Sequence, residues 1–319
     1  MNEVLQKIQK IGIVPVVVLN DAKDAEPLAK ALCEGGLPCA EVTFRTNAAE
    51  ASIKIMSEKF PQMLVGAGTV LTTEQVDRAV NAGAKFIVSP GFNPKIVKYC
   101  IDKGIPITPG AVNPSDIERA IEFGLEVVKF FPAEASGGLK MIKALAGPYT
   151  TMKFMPTGGI DQKNINEYLA FPKILACGGS WMVSGDLIKA GAFDKIAKLT
   201  SEAVMTTLEF ELKHVGINCE NAAQAQDTAA DFANLFGFPT EERADSILAG
   251  SVLAAIKGVA PGSKGQIVMS TANIGRAVNY LESRGVEFDK NSEQYRNDAL
   301  IGLYLKREIG GFAVHLVQK

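Results

Sequence analysis

Three charged side chains lie at the ends of apolar, strand-like runs, where they could do chemistry together. Lys129 ends such a run in the segment Leu-Glu-Val-Val-Lys-Phe-Phe-Pro, residues 125–132. Burial disfavours the charged ammonium form of a lysine, and the neutral amine is a nucleophile. Glu41 and Arg45 occupy a second run, Ala-Glu-Val-Thr-Phe-Arg-Thr. An amine, a carboxylate and a guanidinium in one place are suited to carbon–carbon bond chemistry on a keto acid.

The proton chemistry near Lys129 has few candidates. Both histidines of the chain, His214 and His315, lie far downstream, so proton transfer near Lys129 falls to a carboxylate, a lysine, a tyrosine or water. Glu41 is the leading candidate for this role. The alternative is that Glu41 and Lys129 form a buried structural ion pair, which is an ordinary arrangement in proteins.

Two glycine-rich segments predict a phosphate site. Pro-Thr-Gly-Gly-Ile (156–160) and Cys-Gly-Gly-Ser-Trp (177–181) each follow a predicted strand. In a barrel of parallel strands, backbone N–H groups after the seventh and eighth strands converge on phosphate. Simple tight turns are the alternative for both segments.

The elements that would position these groups alternate regularly. Short β-branched runs predict strands at 12–19, 39–44, 63–68, 85–88, 105–108, 125–130, 151–156 and 173–177. Amphipathic helices are predicted between them at 22–34, 48–59, 73–82, 94–103, 114–123 and 161–170, and a closing helix at 193–208. Glycine and small polar residues follow many of the strands. The pattern therefore favours a closed (β/α)8 TIM barrel over an open doubly wound sheet.

The composition of the chain argues against nucleic-acid binding and against insertion into a membrane. The 319 residues are 47% apolar with a formal net charge of −2, which gives no sign of nucleic-acid binding. The five cysteines form no CxxC pair, which is typical of reduced thiols in the cytoplasm. The apolar run 11–19 is too short to cross a membrane, so we expect a cytoplasmic protein without a membrane partner.

The pattern changes near residue 210. A strand at 210–218, a helix at 222–236 and a hairpin at 246–259 are followed by a strand at 266–271, a helix at 274–284 and strands at 299–306 and 312–317. Two copies of a βαβββ unit are the simplest interpretation. The sequence thus predicts an α/β barrel at 1–208 followed by a smaller α+β domain at 211–319.

The first 208 residues resemble the family of 2-keto-3-deoxy-6-phosphogluconate (KDPG) and 4-hydroxy-2-oxoglutarate aldolases. The resemblance rests on six motifs in family order: EVTFRT (41–46), GAGTV (66–70), SPGF (89–92), KFFPAE (129–134), PTGGI (156–160) and GGSW (178–181). It implies a trimeric (β/α)8 barrel and a class I aldolase that needs no metal or other cofactor. The implied substrate is a phosphorylated keto-deoxy sugar acid, which the enzyme would cleave to pyruvate and glyceraldehyde 3-phosphate. The resemblance implies 4-hydroxy-2-oxoglutarate as a second substrate.

The resemblance also implies residue roles. Lys129 would form the Schiff base with the substrate ketone, and Glu41 would shuttle protons. Arg45, Thr69 and Thr157 would hold the pyruvyl carboxylate, and Pro90 would pack beside the pyruvyl group. The phosphate would be held by a further set, Gly158, Gly159, Gly179 and Ser180.

Residues 211–319 resemble a vicinal-oxygen-chelate (glyoxalase/bleomycin-resistance-like) domain. The resemblance rests on the segments 214–218 and 312–317 and on the repeated element order. In metal-binding members, the ligand positions correspond to His214, Gln266 and His315, which could hold a divalent metal. The alternative, which we favour, is that both histidines are ordinary sheet residues. Such a domain is typical of ligand sensing or assembly, so a trimer through the barrel could assemble further.

Other functions stay open at the level of sequence. A 2-keto-3-deoxy-6-phosphogalactonate aldolase differs in the C4 stereochemistry of its substrate, and no residue decides between the two. A non-aldolase phosphate-binding barrel, such as an epimerase or a thiamine-phosphate synthase relative, would not require Lys129 with Glu41 and Arg45. A sugar-acid-responsive binding protein would not need to keep every reactive residue.

Overall fold

The chain folds as two compact units. The computed structural model describes residues 1–319 and divides them into unit 1, Met1–Thr207, and unit 2, Leu208–Lys319. No helix in either unit is both long enough and apolar enough to cross a bilayer.

Unit 1 is built from alternating strands and helices. Its strands are β1 (Ile13–Val17), β2 (Cys39–Thr43), β3 (Leu64–Gly68), β4 (Ile87–Val88), β5 (Ile107–Thr108), β6 (Val127–Phe130), β7 (Lys153–Pro156) and β8 (Cys177–Gly179). Its helices are α1 (Glu3–Ile11), α2 (Ala25–Glu34), α3 (Ala49–Lys59), α4 (Thr73–Asn81), α5 (Pro94–Asp102), α6 (Pro114–Glu122), α7 (Gly138–Ala146), α8 (Ile165–Leu169), α9 (Gly185–Lys189) and α10 (Phe193–Leu208).

The strands of unit 1 form a curled parallel sheet. Six of them are hydrogen-bonded in the order β5-β4-β3-β2-β1-β8, and β6 pairs separately with β7. Isolated parallel bridges occur between the two sets, at Gly110–Lys129, Phe154–Ile174 and Thr157–Gly178. Parallel pairing places the carboxyl ends of all these strands at the same edge of the sheet.

The inside of the curled sheet is filled by side chains from most of its strands. Buried residues from β1, β2, β3, β6 and β7 form one cluster with Leu5 and Ile8 of α1. Helix α1 is fixed at its start by Asn2, whose side chain accepts a hydrogen bond from the Leu5 amide. The amino-terminal helix therefore packs against the interior of the sheet.

Helices α7 and α9 were not predicted, and two of the predicted elements of unit 1 differ most from their predicted bounds. The eighth strand was predicted at 173–177 but lies at Cys177–Gly179, and Ile174 makes only one bridge. The helix predicted at 161–170 is confined to Ile165–Leu169, because Asp161 and Asn164 form a turn in which their side chains bond backbone N–H groups. In both places, residues that the apolar pattern assigns to a strand or a helix lie instead in a polar or glycine-rich turn.

Unit 2 is a mainly sheet structure with two helices. It contains β9 (Glu211–Asn218), α11 (Ala222–Phe236), β10 (Thr240–Glu242), β11 (Ser246–Ala249), β12 (Leu253–Ile256), β13 (Gly265–Thr271), α12 (Ile274–Ser283), β14 (Phe288–Arg296), β15 (Ala299–Leu305) and β16 (Phe312–Gln318). The element order βαβββ thus occurs twice. Strands β10 and β14 were not predicted, because their residues are mostly polar and exposed.

The eight strands of unit 2 form one sheet with an internal symmetry. Their order is β10-β11-β12-β9-β13-β16-β15-β14. The central pair, β9 and β13, is antiparallel, and each of the two is flanked by a parallel partner, β12 or β16. The side chain of Lys319 donates to both Glu209 and Glu211, so the two ends of the unit lie side by side.

Candidate active site

The predicted amine and carboxylate meet in the interior of unit 1. Lys129 lies in β6 and Glu41 in β2, and the lysine Nζ donates a hydrogen bond of 3.1 Å to Glu41 Oε1. The lysine is 5% exposed and the glutamate is fully buried. The lysine Nζ also lies 5.2 Å from the centre of the Phe131 ring. A buried amine thus has a carboxylate and an aromatic face as its neighbours.

The neighbourhood of Glu41 has no room for a larger residue at position 68. A Cβ atom on Gly68 would lie 2.2 Å from Glu41 Oε1, so the glycine leaves the space that the carboxylate occupies. The second oxygen, Glu41 Oε2, is buried and has no hydrogen-bond partner in the protein. Buried polar atoms are normally satisfied, so this oxygen is a free acceptor for a proton or a water molecule.

Arg45 is held by a residue in an unusual backbone conformation. Its Nε donates a 3.2 Å hydrogen bond to Thr69 Oγ1. Thr69 has a φ angle of 54°, in the left-handed region that β-branched residues rarely adopt. Backbone strain of this kind costs on the order of 1–3 kcal/mol and concentrates at functional sites. The strained turn after β3 therefore presents its hydroxyl to the guanidinium.

Both glycine-rich turns line a cavity of about 250 Å³ with Lys129 and Arg45. Gly158 and Gly159 have φ angles of 96° and 84°, which side chains other than glycine rarely adopt. A Cβ on Gly178 would lie 2.3 Å from Thr157 Oγ1, so the strands β7 and β8 approach closely here. The turns therefore bring main-chain atoms to the wall of the cavity.

Most of the predicted site residues surround this cavity. Its wall includes Arg45, Lys129, Thr157, Gly158, Gly159, Gly179 and Ser180. Glu41 and Thr69 join the group through their bonds to Lys129 and Arg45. Pro90, which follows β4, is partly buried and is not part of the wall. Its carbonyl oxygen lies instead against Gly110, where a Cβ would approach it to 2.0 Å.

Sequence reasoning missed several contributors. Phe131 lines the cavity, and its ring faces the Lys129 amine. Glu134 accepts a hydrogen bond from the hydroxyl of Tyr168, and its side chain fills the space beside Gly159, where a Cβ would lie 2.4 Å from Glu134 Cγ. Burial and this carboxylate raise the pKa of Tyr168. Both Phe131 and Glu134 lie in the quoted motif KFFPAE, which could have indicated them.

The three predicted metal candidates lie in a separate cavity within unit 2. His214, Gln266 and His315 all line a space of about 320 Å³ on one face of the sheet. Tyr304, which was not predicted, donates a 2.6 Å hydrogen bond to Gln266 Oε1. Its ring stacks on His315 at a centroid distance of 4.2 Å.

Known proteins resemble this chain over unit 1. The family model "Aldolase: KDPG and KHG aldolase" matches residues 4–199. A 2-dehydro-3-deoxy-phosphogluconate aldolase of Haemophilus influenzae is 52% identical over 202 residues, which cover 63% of this chain and 95% of that protein. A KHG/KDPG aldolase of Escherichia coli K12 is 43% identical over 192 residues, which cover 60% of this chain and 90% of that protein.

A solved structure agrees with both the sequence match and the fold. The KDPG aldolase of Legionella pneumophila, crystallised with pyruvate as a covalent carbinolamine intermediate, is 38% identical with a TM-score of 0.61. The match covers 63% of this chain and 98% of that one. The family model spans more than half of the 319 residues, and the buried lysine, the carboxylate and the glycine turns lie within it. The chain belongs to the KDPG and KHG aldolase family.

Proposed function

We propose that unit 1 is a class I aldolase that cleaves 2-keto-3-deoxy-6-phosphogluconate to pyruvate and glyceraldehyde 3-phosphate. We also propose that it cleaves 4-hydroxy-2-oxoglutarate to pyruvate and glyoxylate. One observation supports this most directly: the buried Lys129 amine lies 3.1 Å from a buried carboxylate and faces a cavity with two glycine turns. The names of the relatives at 43–52% identity support the same substrates.

In the proposed mechanism, the Lys129 amine adds to the C2 ketone of the substrate. The carbinolamine loses water to form a protonated imine, which withdraws electrons from the adjacent carbon. The C3–C4 bond then breaks, its electron pair forms an enamine, and the C4 hydroxyl becomes the aldehyde of the leaving product. Protonation of the enamine at C3 and hydrolysis of the imine release pyruvate and restore the amine.

Glu41 is the proton carrier in this scheme. Its Oε1 accepts the hydrogen bond from Lys129, and its unpaired Oε2 is available to water or substrate. The carboxylate assists loss of water from the carbinolamine and accepts the C4 hydroxyl proton, through one water molecule. General acid–base catalysis of this kind typically contributes about 10²–10⁴-fold in rate.

The remaining polar residues position the two anionic ends of the substrate. The guanidinium of Arg45, held by Thr69, binds the carboxylate with Thr157, whose buried Oγ1 has no partner in the protein. Gly158, Gly159, Gly179 and Ser180 bind the phosphate through main-chain and hydroxyl donors. Pro90 is placed near the pyruvyl group by the family resemblance alone.

The barrel itself is part of this proposal. We infer that the curled sheet of unit 1 closes into a (β/α)8 barrel, because the isolated bridges occur at the seams β5–β6 and β7–β8. No metal or other cofactor is needed for the proposed chemistry, since the imine itself withdraws electrons. Activity that survives exhaustive chelation would support this, and activity restored only by an added divalent metal would contradict it.

Trapping of the imine tests the function. Borohydride added with pyruvate should attach a pyruvyl group to Lys129, which peptide mass spectrometry can locate. The Lys129→Ala variant serves as the matched control and should remain unlabelled. Labelling of another lysine would contradict the proposal. Comparison of kcat/KM for the gluconate, galactonate and hydroxyoxoglutarate substrates, with pyruvate release coupled to lactate dehydrogenase, would rank the substrates.

For unit 2 we propose a vicinal-oxygen-chelate (glyoxalase-like) domain. The repeated βαβββ order and the antiparallel centre of its sheet support this assignment. We further propose a trimer formed through unit 1, with higher assembly through unit 2, in the cytoplasm, where the five cysteines, none of which forms a disulfide, would stay reduced. Sedimentation equilibrium should then give a mass above that of three chains.

A further inference from the structure

The cavity of unit 2 is formed on one face of the sheet by residues that alternate along the strands. His214, Val268, His315 and Tyr304 are consecutive cross-strand neighbours on β9, β13, β16 and β15. The opposite face is covered, since Ile247 and Ala255 pack with residues of α11. The cavity side therefore collects polar side chains in the middle of a sheet, where a packed core would have apolar ones.

The donor set of this cavity does not fit a divalent metal. His214 and His315 are the only two histidines of the chain, so no third imidazole is present as a ligand. The amide oxygen of Gln266, which would be the third ligand, already accepts the hydroxyl of Tyr304. One carboxylate, Asp245, lines the cavity, and the Ser246 hydroxyl donates to it. No group of three or more histidines, cysteines or carboxylates converges anywhere in the chain.

Among the charged side chains that line the cavity, two cations, Lys213 and Arg243, outnumber one carboxylate, Asp245, which favours an anion as the ligand. Arg243 is paired with Glu241, whereas Lys213 has no carboxylate partner. Burial and the Lys213 charge lower the pKa of His214, and burial with His214 and Lys213 lowers the pKa of His315 to about 4. In its neutral form each imidazole has one N–H to donate and one nitrogen that accepts.

His315 also has an unsatisfied atom in this position. Its Nε2 is buried and has no hydrogen-bond partner. Gly302 of β15 makes room for it, because a Cβ there would lie 2.9 Å from His315 Nε2 and from Gln294 Oε1. An unpaired polar atom beside a cavity is a place for a ligand to bond. Apolar side chains, Leu248, Val268 and Val317, form other parts of the same wall.

From these contacts we propose that unit 2 binds a small organic carboxylate directly, without a metal, in this cavity. Lys213 neutralises the carboxylate, the two imidazoles provide hydrogen bonds, and the apolar side chains contact the body of the ligand. A cavity of about 320 Å³ is at the small end of ligand sites, which suits a molecule of about the size of benzoate. The proposal is independent of the aldolase function of unit 1.

The two histidines make a selective test possible. Because the chain has only these two, and both line the cavity, imidazole NMR signals of the full-length protein report on this site alone. Benzoate should shift both sets of signals at pH 7, whereas benzamide, of the same shape without the charge, should bind at least about tenfold more weakly. The Lys213→Gln variant should lose most of the benzoate response. Lys290→Gln, which removes an exposed charge of the same unit outside the cavity, should not.

Several outcomes would overturn the proposal. Equal binding of benzamide and benzoate would show that the charge of the ligand does not contribute to binding. Equal binding of benzoate by the Lys213 and Lys290 variants would show that Lys213 is not the cation that binds it. A response to inorganic phosphate without one to benzoate would exclude the apolar contact. Saturable shifts with stoichiometric Zn²⁺, lost in His214→Gln, would instead establish a metal site. The dispersion of the amide NMR signals of each variant serves as the check that unit 2 is folded.

Discussion

The two cavities of this protein place their functional groups differently with respect to the strands. In unit 1, Lys129, Thr157 and the glycine turns lie at or beyond the carboxyl ends of parallel strands. In unit 2, His214, Gln266, Tyr304 and His315 lie within strands, on the face of a mostly antiparallel sheet. At strand ends, backbone N–H groups are free of the ladder and can bind a ligand. On a sheet face they are not, so recognition depends on side chains alone.

The electrostatic settings differ as well. The buried amine of Lys129 has a buried carboxylate partner at 3.1 Å, so charge is balanced in the interior. The half-buried imidazoles of unit 2 have exposed cations as neighbours, and burial lowers the pKa of both. We infer that the first arrangement suits proton transfer during a reaction and the second suits binding of a ligand without reaction.

The largest expected effect tests the reactive amine. Lys129→Met should lower kcat by about 10⁴-fold or more, because no imine can form. Coupled pyruvate release measures this. Lys140→Met, which changes an exposed lysine of α7, should stay within about twofold of the parent. Turnover by the Lys129 variant above about 1% would show that another group is the nucleophile.

The next effect concerns the carboxylate. Glu41→Gln keeps the shape of the side chain but removes its basicity, so kcat should fall by about 10²–10⁴-fold. Borohydride trapping of pyruvate on Lys129 should continue slowly, since the amine remains. Glu122→Gln, on the exposed surface of α6, is the matched control. An unchanged kcat in the Glu41 variant would mean that the pair with Lys129 is structural only.

A smaller effect should follow from filling the space beside Glu41. The added methyl group of Gly68→Ala would displace Oε1, to which the Cβ would come within 2.2 Å. Misplacement of a catalytic group by about 1 Å can lower the rate by about 10²-fold. The same substitution at Gly91, where a Cβ would meet nothing within 4 Å, should be neutral. Equal activities would show that the carboxylate position is not critical.

A substitution at the proposed phosphate site should have a weaker effect on the kinetics than those at Lys129, Glu41 and Gly68. Ser180→Ala removes one hydroxyl donor from the cavity wall, so KM for phosphorylated substrates should rise by about tenfold, the worth of one hydrogen bond to a charged group. Activity on 4-hydroxy-2-oxoglutarate, which has no phosphate, is the internal control and should not change. A parallel loss on both substrates would place Ser180 outside the phosphate site.

The smallest effect is a pH dependence of stability in unit 2. The folded structure lowers the pKa of His315 from its ordinary 6.5 to about 4, so between these values the unfolded chain binds more protons. The stabilising contribution is therefore complete above pH 6.5 and is lost as the pH falls to 4. Because the ring is partly exposed, we expect about 1–2 kcal/mol. Urea unfolding at pH 7 and 4.5, followed by the imidazole signals of His214, measures the change. His315→Gln should reduce it, and an equal pH dependence in the variant would contradict the assignment.

The sequence predicts which residues surround the cavity of unit 1, because unusual residue types mark most of them. A lysine in an apolar run, such as Lys129, and paired glycines, such as Gly158 and Gly159, stand out without any coordinates. Contacts between segments that are distant in the sequence are not marked by unusual residue types. The packing of Glu134 and Tyr168 beside Gly159 depends on a turn after β6 meeting helix α8, and nothing in either segment shows the other.

The sequence also fails where polar residues form strands. Strands β10 and β14 lie at the two edges of the sheet of unit 2, where both faces are partly open to solvent, so no apolar alternation marks them. Tyr304 was not predicted for a different reason. Its partners, Gln266 and His315, belong to other strands, and only the register of strand pairing brings the three residues together.

The ion pairs of Lys319 with Glu209 and Glu211 have a consequence for protein engineering. Because the first and last residues of unit 2 are adjacent, this unit has a geometry suited to insertion into another protein. Grafting it into an exposed loop of a host protein would require only short spacers, and circular permutation could join those points directly.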